Sequence, residues 1–150
     1  TSQTGLTDIR PASADHPEID VFGEKINGRF VIGHFKPNNS THGFVWTEKR
    51  GFVDIGTLDG DVGSLVVGVN DRGVVAGNSF SGGSSRAFVW SRSSGIVPLD
   101  TPAGWSSQAN AMNGDFIVGS RCDPNLTCHA TLWKPSSHSH HQQGDDDDQD

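Results

Sequence analysis

Histidine, serine and aspartate are all frequent in this sequence, and hydrolytic sites are often built from these residue types. Their spacing does not follow the patterns that such sites require. The segment Gly82-Gly83-Ser84-Ser85 lacks the second glycine of a Gly-x-Ser-x-Gly nucleophile turn. The seven histidines form no His-Glu-x-x-His motif, which would place two metal ligands on one face of a helix. The sequence therefore predicts a protein that is not an enzyme.

Histidine and aspartate are concentrated in residues 136–150, at the end of the chain. This tail combines His138, His140 and His141 with five aspartates and contains no Lys or Arg. Imidazole and carboxylate groups bind divalent ions, so we expect weak metal binding in the tail. We expect no other cofactor. Because the composition is too polar to bury a core, the tail is predicted to be disordered.

Trp105 is the first candidate for a ligand contact, because it lies in a polar connector between Gly104 and Ser106. An exposed aromatic side chain can stack on a sugar ring or anchor a partner protein. Asp59 and Asp61 flank Gly60 in another connector and are candidate contacts as well, with ordinary turn chemistry as the alternative. A calcium site would need about 6–8 oxygen ligands, more than this segment offers. The expected partner is a glycan or an extracellular protein.

The two cysteines, Cys122 and Cys128, enclose a five-residue segment with the composition of a turn. Their spacing predicts a disulfide across the base of a hairpin loop. Such a bond persists in an oxidising compartment, so we expect a secreted, extracellular or periplasmic protein. Two free thiols in a cytosolic protein are the alternative.

The net charge of −7 is concentrated in the tail, which holds five of the 18 acidic residues. The rest of the chain is nearly balanced against its 11 Lys and Arg. A near-neutral body without a basic stripe argues against nucleic acid and anionic membrane surfaces as partners. Membrane insertion is not expected either, since no run approaches the roughly 18–20 apolar residues that span a bilayer.

An internal repeat of about 43 residues organises the chain. Asn27, Asn70 and Asn113 recur at this interval, and each precedes a turn signal. Glycines and short apolar strands recur at the same interval. One strand of each unit ends in a tryptophan, at Trp46, Trp90 and Trp133, and this recurrence predicts that the tryptophans pack in the core or between units. The high glycine content and short apolar runs predict an all-β fold of three four-stranded antiparallel units, at about residues 21–56, 64–100 and 107–134.

The third unit lacks a fourth strand after Lys134, and residues 5–10 resemble the fourth strand of the first unit. We therefore predict that the units are circularly offset. In that arrangement the N-terminal strand completes the last sheet, and residues 1–135 form one domain. Closure of this kind would also remove an exposed sheet edge.

The repeated phrases resemble those of the secreted bacterial HAF-repeat proteins, over roughly residues 5–134. The segments that carry the resemblance are Ile26-Asn27-Gly28 with Val31-Ile32-Gly33, His42-Gly43-Phe44-Val45-Trp46, and Asp54-Ile55-Gly56-Thr57-Leu58. Family members usually hold more copies, so the resemblance implies blades of a β-propeller. The family is defined by its repeat and implies no particular activity.

Three units are fewer than the roughly 4–8 blades of a closed propeller. Two chains could therefore close a six-bladed ring, the chain could be part of a longer propeller, or three units could close as a β-trefoil or a β-prism. The sequence is compatible with a non-catalytic extracellular module that binds a glycan or a protein. The alternative is a structural unit that self-assembles into rings, fibres or matrix, and in either case a homo-oligomer is expected.

Overall fold

Glycine-punctuated runs of β-branched and aromatic residues form the strands of this protein, as their composition favours. A computed structural model describes residues 5–12 and 19–134, and no helix occurs in these ranges, so none there could cross a membrane. The strands are β1 (Val21–Asn27), β2 (Phe30–Phe35), β3 (His42–Thr47), β4 (Gly51–Gly56), β5 (Gly63–Val69), β6 (Val75–Ser81), β7 (Ser84–Ser91), β8 (Gly95–Pro98), β9 (Ser106–Asn113), β10 (Phe116–Cys122) and β11 (Cys128–Trp133).

The strands pair into three antiparallel meanders, each made of consecutive strands. The first sheet has the order β1-β2-β3-β4, the second β5-β6-β7-β8, and the third β9-β10-β11. In each sheet, the pairing of the second strand with the third continues past the apolar run that begins the second strand. The all-β prediction is confirmed.

One backbone irregularity recurs at the same place in all three sheets. The first strand carries a β-bulge opposite Gly33, Gly77 and Gly119, respectively. A Cβ atom on these glycines would lie 1.9–2.2 Å from a carbonyl oxygen of the bulged strand. Only glycine therefore fits opposite the bulge, which explains why each of the three units has a glycine at this position.

The sheets pack in chain order, the first on the second and the second on the third. Alternate residues of a strand point to opposite faces of its sheet. We call the face that packs on the preceding sheet, or corresponds to it in the first sheet, the rear face. The opposite face, which packs on the following sheet or corresponds to it in the third sheet, is the forward face. Between the first two sheets, Ile32 and Val45 pack with Val75 and Trp90. Between the second and third sheets, the core contains Ala76, Ala87, Ala109, Ile117 and Trp133. Trp90 and Trp133 therefore fill the space between sheets, as expected.

Hydrogen bonds between sheets also recur. The Ser64 hydroxyl accepts the Gly43 N–H at 2.9 Å, and the Ser107 hydroxyl accepts the Ala87 N–H at 2.8 Å. Both serines are buried, where an unpaired N–H would be costly. Each bond ties the third strand of one sheet to the first strand of the next.

The predicted strand at residues 5–10 is wrong. These residues form no strand, Leu6 is 93% exposed, and the third sheet has three strands. A strand needs a neighbour for its backbone groups, and β11 stays at the edge of the third sheet without pairing to these residues. The three sheets are separate, and no closed ring or barrel occurs within the described residues.

The two tight turns also differ from expectation, because the Asn-Gly pairs predict type I′ geometry. The central residues are Gly28-Arg29 and Gly114-Asp115, and only the glycines have positive φ, at 59° and 58°. A positive φ confined to the first central residue is the pattern of a type II′ turn. In the first turn, the side chain of Asn27 donates to the Val69 carbonyl of the second sheet.

Candidate binding site

A cleft of about 670 Å³ lies between the first and second sheets, at the end where the hairpin turns meet. The β1–β2 and β3–β4 turns form one wall, and the β5–β6 turn with the end of β7 forms the other. Because the turns of neighbouring meanders lie at the same end, residues far apart in sequence are brought together here.

The floor of the cleft is apolar. Phe30, Val45, Val53 and Trp90 line it, and all four belong to the packing between the two sheets or contact it. The Thr47 hydroxyl accepts the Arg50 N–H at 3.0 Å and shapes the turn above this floor. The floor is therefore continuous with the core between the two sheets.

The rim of the cleft is strongly basic. Five of the 11 Lys and Arg of the chain line it together with one acid, Glu48; they are Arg29, Lys49, Arg50, Arg72 and Arg92. Within residues 5–12 and 19–134, only Arg72 of the five has an ion-pair partner, Asp115. The Arg29 guanidinium lies 5.1 Å from the centre of the Phe30 ring, a cation–π contact. Most of this positive charge is not neutralised by neighbouring side chains.

This charge is not a consequence of the repeated architecture. In the corresponding turn of the second sheet, Ser93 and Ser94 replace Lys49 and Arg50. Between the second and third sheets, Arg72 meets Asp115, so opposite charges pair. At the cleft the corresponding pair is Arg29 and Arg72, two like charges. Like charges gathered over an apolar floor are unfavourable alone and are stabilised by an anionic ligand.

Asp59 and Asp61 lie at the opposite end of the sheets, beside Arg86 at the start of β7. The Asp61 carboxylate accepts a hydrogen bond from the Ser79 hydroxyl at 2.6 Å and pairs with Arg86 at 3.2 Å. Ser79 in turn accepts the Leu58 N–H. The carboxylate of Asp61 therefore holds the connector in place, while Asp59 is exposed and accepts from Arg86 through its carbonyl oxygen.

Trp105 also lies at that end and folds back onto its own sheet. Its ring stacks on His129, with centroids 5.6 Å apart and planes inclined by 23°. His129 occupies the position in the third sheet that Arg86 holds in the second. In both sheets, the connector that leads into the sheet contacts the side chain at this position. Trp105 remains half-buried. None of the three predicted contact residues lines the cleft, and their ligand roles stay predictions.

The predicted disulfide is confirmed: Cys122 and Cys128 are joined and pair directly across β10 and β11. The enclosed loop is held by the Asp123 carboxylate, which accepts the N–H groups of Asn125 and Thr127. No group of three or more His, Cys, Asp or Glu that could hold a metal occurs in the part of the chain that the structure describes. His138, His140 and His141 lie outside the described residues.

The sequence does contain a signal for the cleft, which the net charge conceals. Arg29, Lys49, Arg50, Arg72 and Arg92 all fall in or beside turns that the repeat places at one end of the sheets. Adding up the charge of the turns at this end, and not the net charge of the chain without its tail, would have detected these residues. Comparison of the chain with protein-family models, curated proteins and solved structures finds no match.

Proposed function

We propose that this chain is a non-catalytic extracellular binding module, and that the basic cleft binds an acidic glycan. The observation that carries the proposal is the concentration of five cationic side chains over an apolar floor between two sheets. Arg and Lys pair with carboxylate and sulfate groups through charge-assisted hydrogen bonds. The apolar floor suits the C–H face of a sugar ring, and the partly exposed Phe30 contributes an aromatic ring there.

The dimensions of the cleft favour a short oligosaccharide over a folded protein. A volume of about 670 Å³ falls within the range of roughly 300–1,000 Å³ that is typical of small-ligand sites. A protein interface of standard size buries about 800 Å² on each partner, usually over a flatter surface. A concave site of this size is better matched to two or three sugar units.

The setting of the proposal is a secreted repeat protein of the HAF type, with the three sheets as blades of a β-propeller. The recurring bulge, glycine and inter-sheet hydrogen bonds support equivalent blades. The Cys122–Cys128 disulfide is consistent with an extracellular or periplasmic location.

The experiment is calorimetric titration with uronate-containing or sulfated oligosaccharides and with their neutral analogues. The variant Lys49→Ser/Arg50→Ser gives the β3–β4 turn the serines that the second sheet uses in the corresponding place, so the fold should persist. We expect affinity for the acidic ligand to fall at least about tenfold, because two charge-assisted contacts are lost. Affinity should also fall as the salt concentration rises.

A matched control, Lys25→Ser/Lys36→Ser, removes the same charge from exposed positions outside the cleft and should bind normally. Equal binding of the neutral analogue, or equal weakening in the control, would contradict the proposal. Trp105→Ala tests the other end of the sheets in the same assay. Dependence on Trp105 without dependence on Lys49 and Arg50 would move the site to that end.

A second candidate function, a self-assembling structural unit, is favoured by a separate observation. The outer faces of the first and third sheets expose apolar side chains whose counterparts elsewhere in the chain are buried.

A further inference from the structure

The forward face of the third sheet is exposed, although the same face is buried in the other two sheets. The residue before the glycine of the bulge is Ile32, Ala76 or Val118, and their exposed fractions are 0%, 0% and 46%. On the neighbouring strand, Val45 is 5% exposed and its counterpart Leu132 is 53% exposed. The third sheet therefore carries half of an inter-sheet core without the other half.

The rear face of the first sheet is the complementary case. Ile26 is 71% exposed, whereas its counterparts Val69 and Met112 pack against the inter-sheet cores. Trp46 is partly exposed, whereas Trp90 and Trp133 are 8% and 7% exposed. Elsewhere on this face, Phe52 stacks on Phe44 at 4.5 Å and covers it. The uncovered strip therefore runs from Ile26 to Trp46, near the hairpin turns.

We propose that these two surfaces bind each other between two copies of this chain. The third sheet of one copy packs its forward face on the rear face of the first sheet of another, in the arrangement that the chain itself uses twice. The contact is heterologous, since two different surfaces meet. Two copies supply six sheets, a number within the range of roughly 4–8 blades that closes a propeller.

Polar groups at the turns support a second copy as the occupant. Within the chain, the side chain of Asn27 donates to the Val69 carbonyl, and that of Asn70 donates to the Gly114 carbonyl of the next sheet. Asn113 is the third member of this series and is exposed. In the proposed contact it meets the turn at residues 26–28 of the other copy.

Charge at the same turns is complementary as well. The second and third sheets meet with Arg72 paired to Asp115. In the proposed contact, Asp115 of one copy faces Arg29 of the other, because Arg29 holds the corresponding turn position in the first sheet. Opposite charges across an interface favour the correct register and speed association.

One hydrogen bond that joins the sheets within the chain would be missing from the proposed contact, and this lowers the affinity that we expect for it. Ser64 and Ser107 accept a backbone N–H from the preceding sheet, but Val21 stands at this place in the first sheet. The Ala130 N–H of the other copy would find no hydroxyl acceptor there. We therefore expect an association that is weaker than the internal contacts and reversible on dilution.

The experiment is sedimentation velocity over a range of concentrations, with one variant for each surface. The unaltered chain should change from monomer to dimer as concentration rises. Leu132→Asp blocks the forward face and Ile26→Asp blocks the rear face; each chain alone should stay monomeric. An equimolar mixture should recover a one-to-one dimer, because each variant retains the surface that the other lacks. Leu126→Asp, a change at a side chain that is 82% exposed in a loop, should dimerise normally.

Circular dichroism and tryptophan fluorescence test whether each variant folds, which we expect because both altered side chains are exposed. The proposal is overturned if the unaltered chain remains monomeric up to about 1 mM, a concentration at which even weak association is populated. It is equally overturned if Ile26→Asp alone still dimerises, because the contact would then be forward face to forward face. The proposal is also overturned if the equimolar mixture of the two variants forms no dimer. None of these outcomes depends on glycan binding.

Discussion

Asn70 makes more hydrogen bonds between elements than any other side chain of the β5–β6 turn, and its removal is the sharpest test of how the sheets are joined. The residue is 4% exposed. Its amide nitrogen donates to the Gly114 carbonyl at 3.1 Å and to the Asp115 carboxylate at 3.0 Å. Its amide oxygen accepts the N–H groups of Arg72 and Val74, each at 3.0 Å. Asn70→Ala removes all four bonds without adding volume.

Four hydrogen bonds at about 1 kcal/mol each give an upper figure of about 4 kcal/mol. Water can replace part of this at the exposed Arg72 and Gly114, but the Val74 N–H lies deeper in the turn. We therefore expect the free energy of unfolding to fall by about 2–3 kcal/mol. For a chain of this size, that corresponds to a melting temperature lower by roughly 8–12 °C.

The repeat provides two matched controls at the same turn position. Asn27 makes one such bond, to the Val69 carbonyl, so Asn27→Ala should cost about 1 kcal/mol. Asn113 is exposed, and Asn113→Ala should be nearly neutral in dilute, monomeric protein. Urea unfolding at low concentration, followed by tryptophan fluorescence, measures all three. Equal losses at Asn70 and Asn113 would refute the reasoning, since the effect would then come from the turn alone.

Two further changes test the local architecture. Gly77→Ala would bring a Cβ atom to 2.2 Å from the Leu65 carbonyl oxygen, so we expect a loss above about 3 kcal/mol or failure to fold, measured by thermal melting. Gly83→Ala, which has open space and an ordinary φ, should be neutral, and a comparable loss there would contradict the steric explanation. Replacing both Cys122 and Cys128 by Ser frees a short loop, so unfolding in urea should require about 2 kcal/mol less. That double variant should also make the protein insensitive to reducing agent, and a reductant-dependent melting curve would contradict this.

Local patterns carried most of the fold information. Cys122 and Cys128 were paired correctly because a short turn between two cysteines leaves little choice of geometry. Gly33, Gly77 and Gly119, spaced by 44 and 42 residues, marked the second strand of each sheet, and all three are required by close backbone approach. Such features depend on neighbours along the chain or across one hairpin, which the sequence specifies directly.

Features that depend on contacts between sheets were less accessible. Residues 5–10 have the pattern of a strand, but a strand needs a partner, and no sheet of the described residues pairs with them. In β10, Phe116 and Val118 are exposed because no other sheet of the described residues covers this face of the third sheet. The cleft was missed because Lys49 and Arg92 approach each other only after the sheets stack.

Packing in chain order has a consequence for how the protein folds. Every sheet is built from consecutive strands, and each contact between sheets joins immediate neighbours in the chain. Stability is then close to a sum of sheet terms and nearest-neighbour interface terms, as in solenoid repeats. The second sheet has two interfaces, whereas the third has one interface and only three strands. During synthesis each new sheet can dock on one already complete, so folding can advance from the N-terminal sheet toward the disulfide-closed third sheet without waiting for a long-range ring closure.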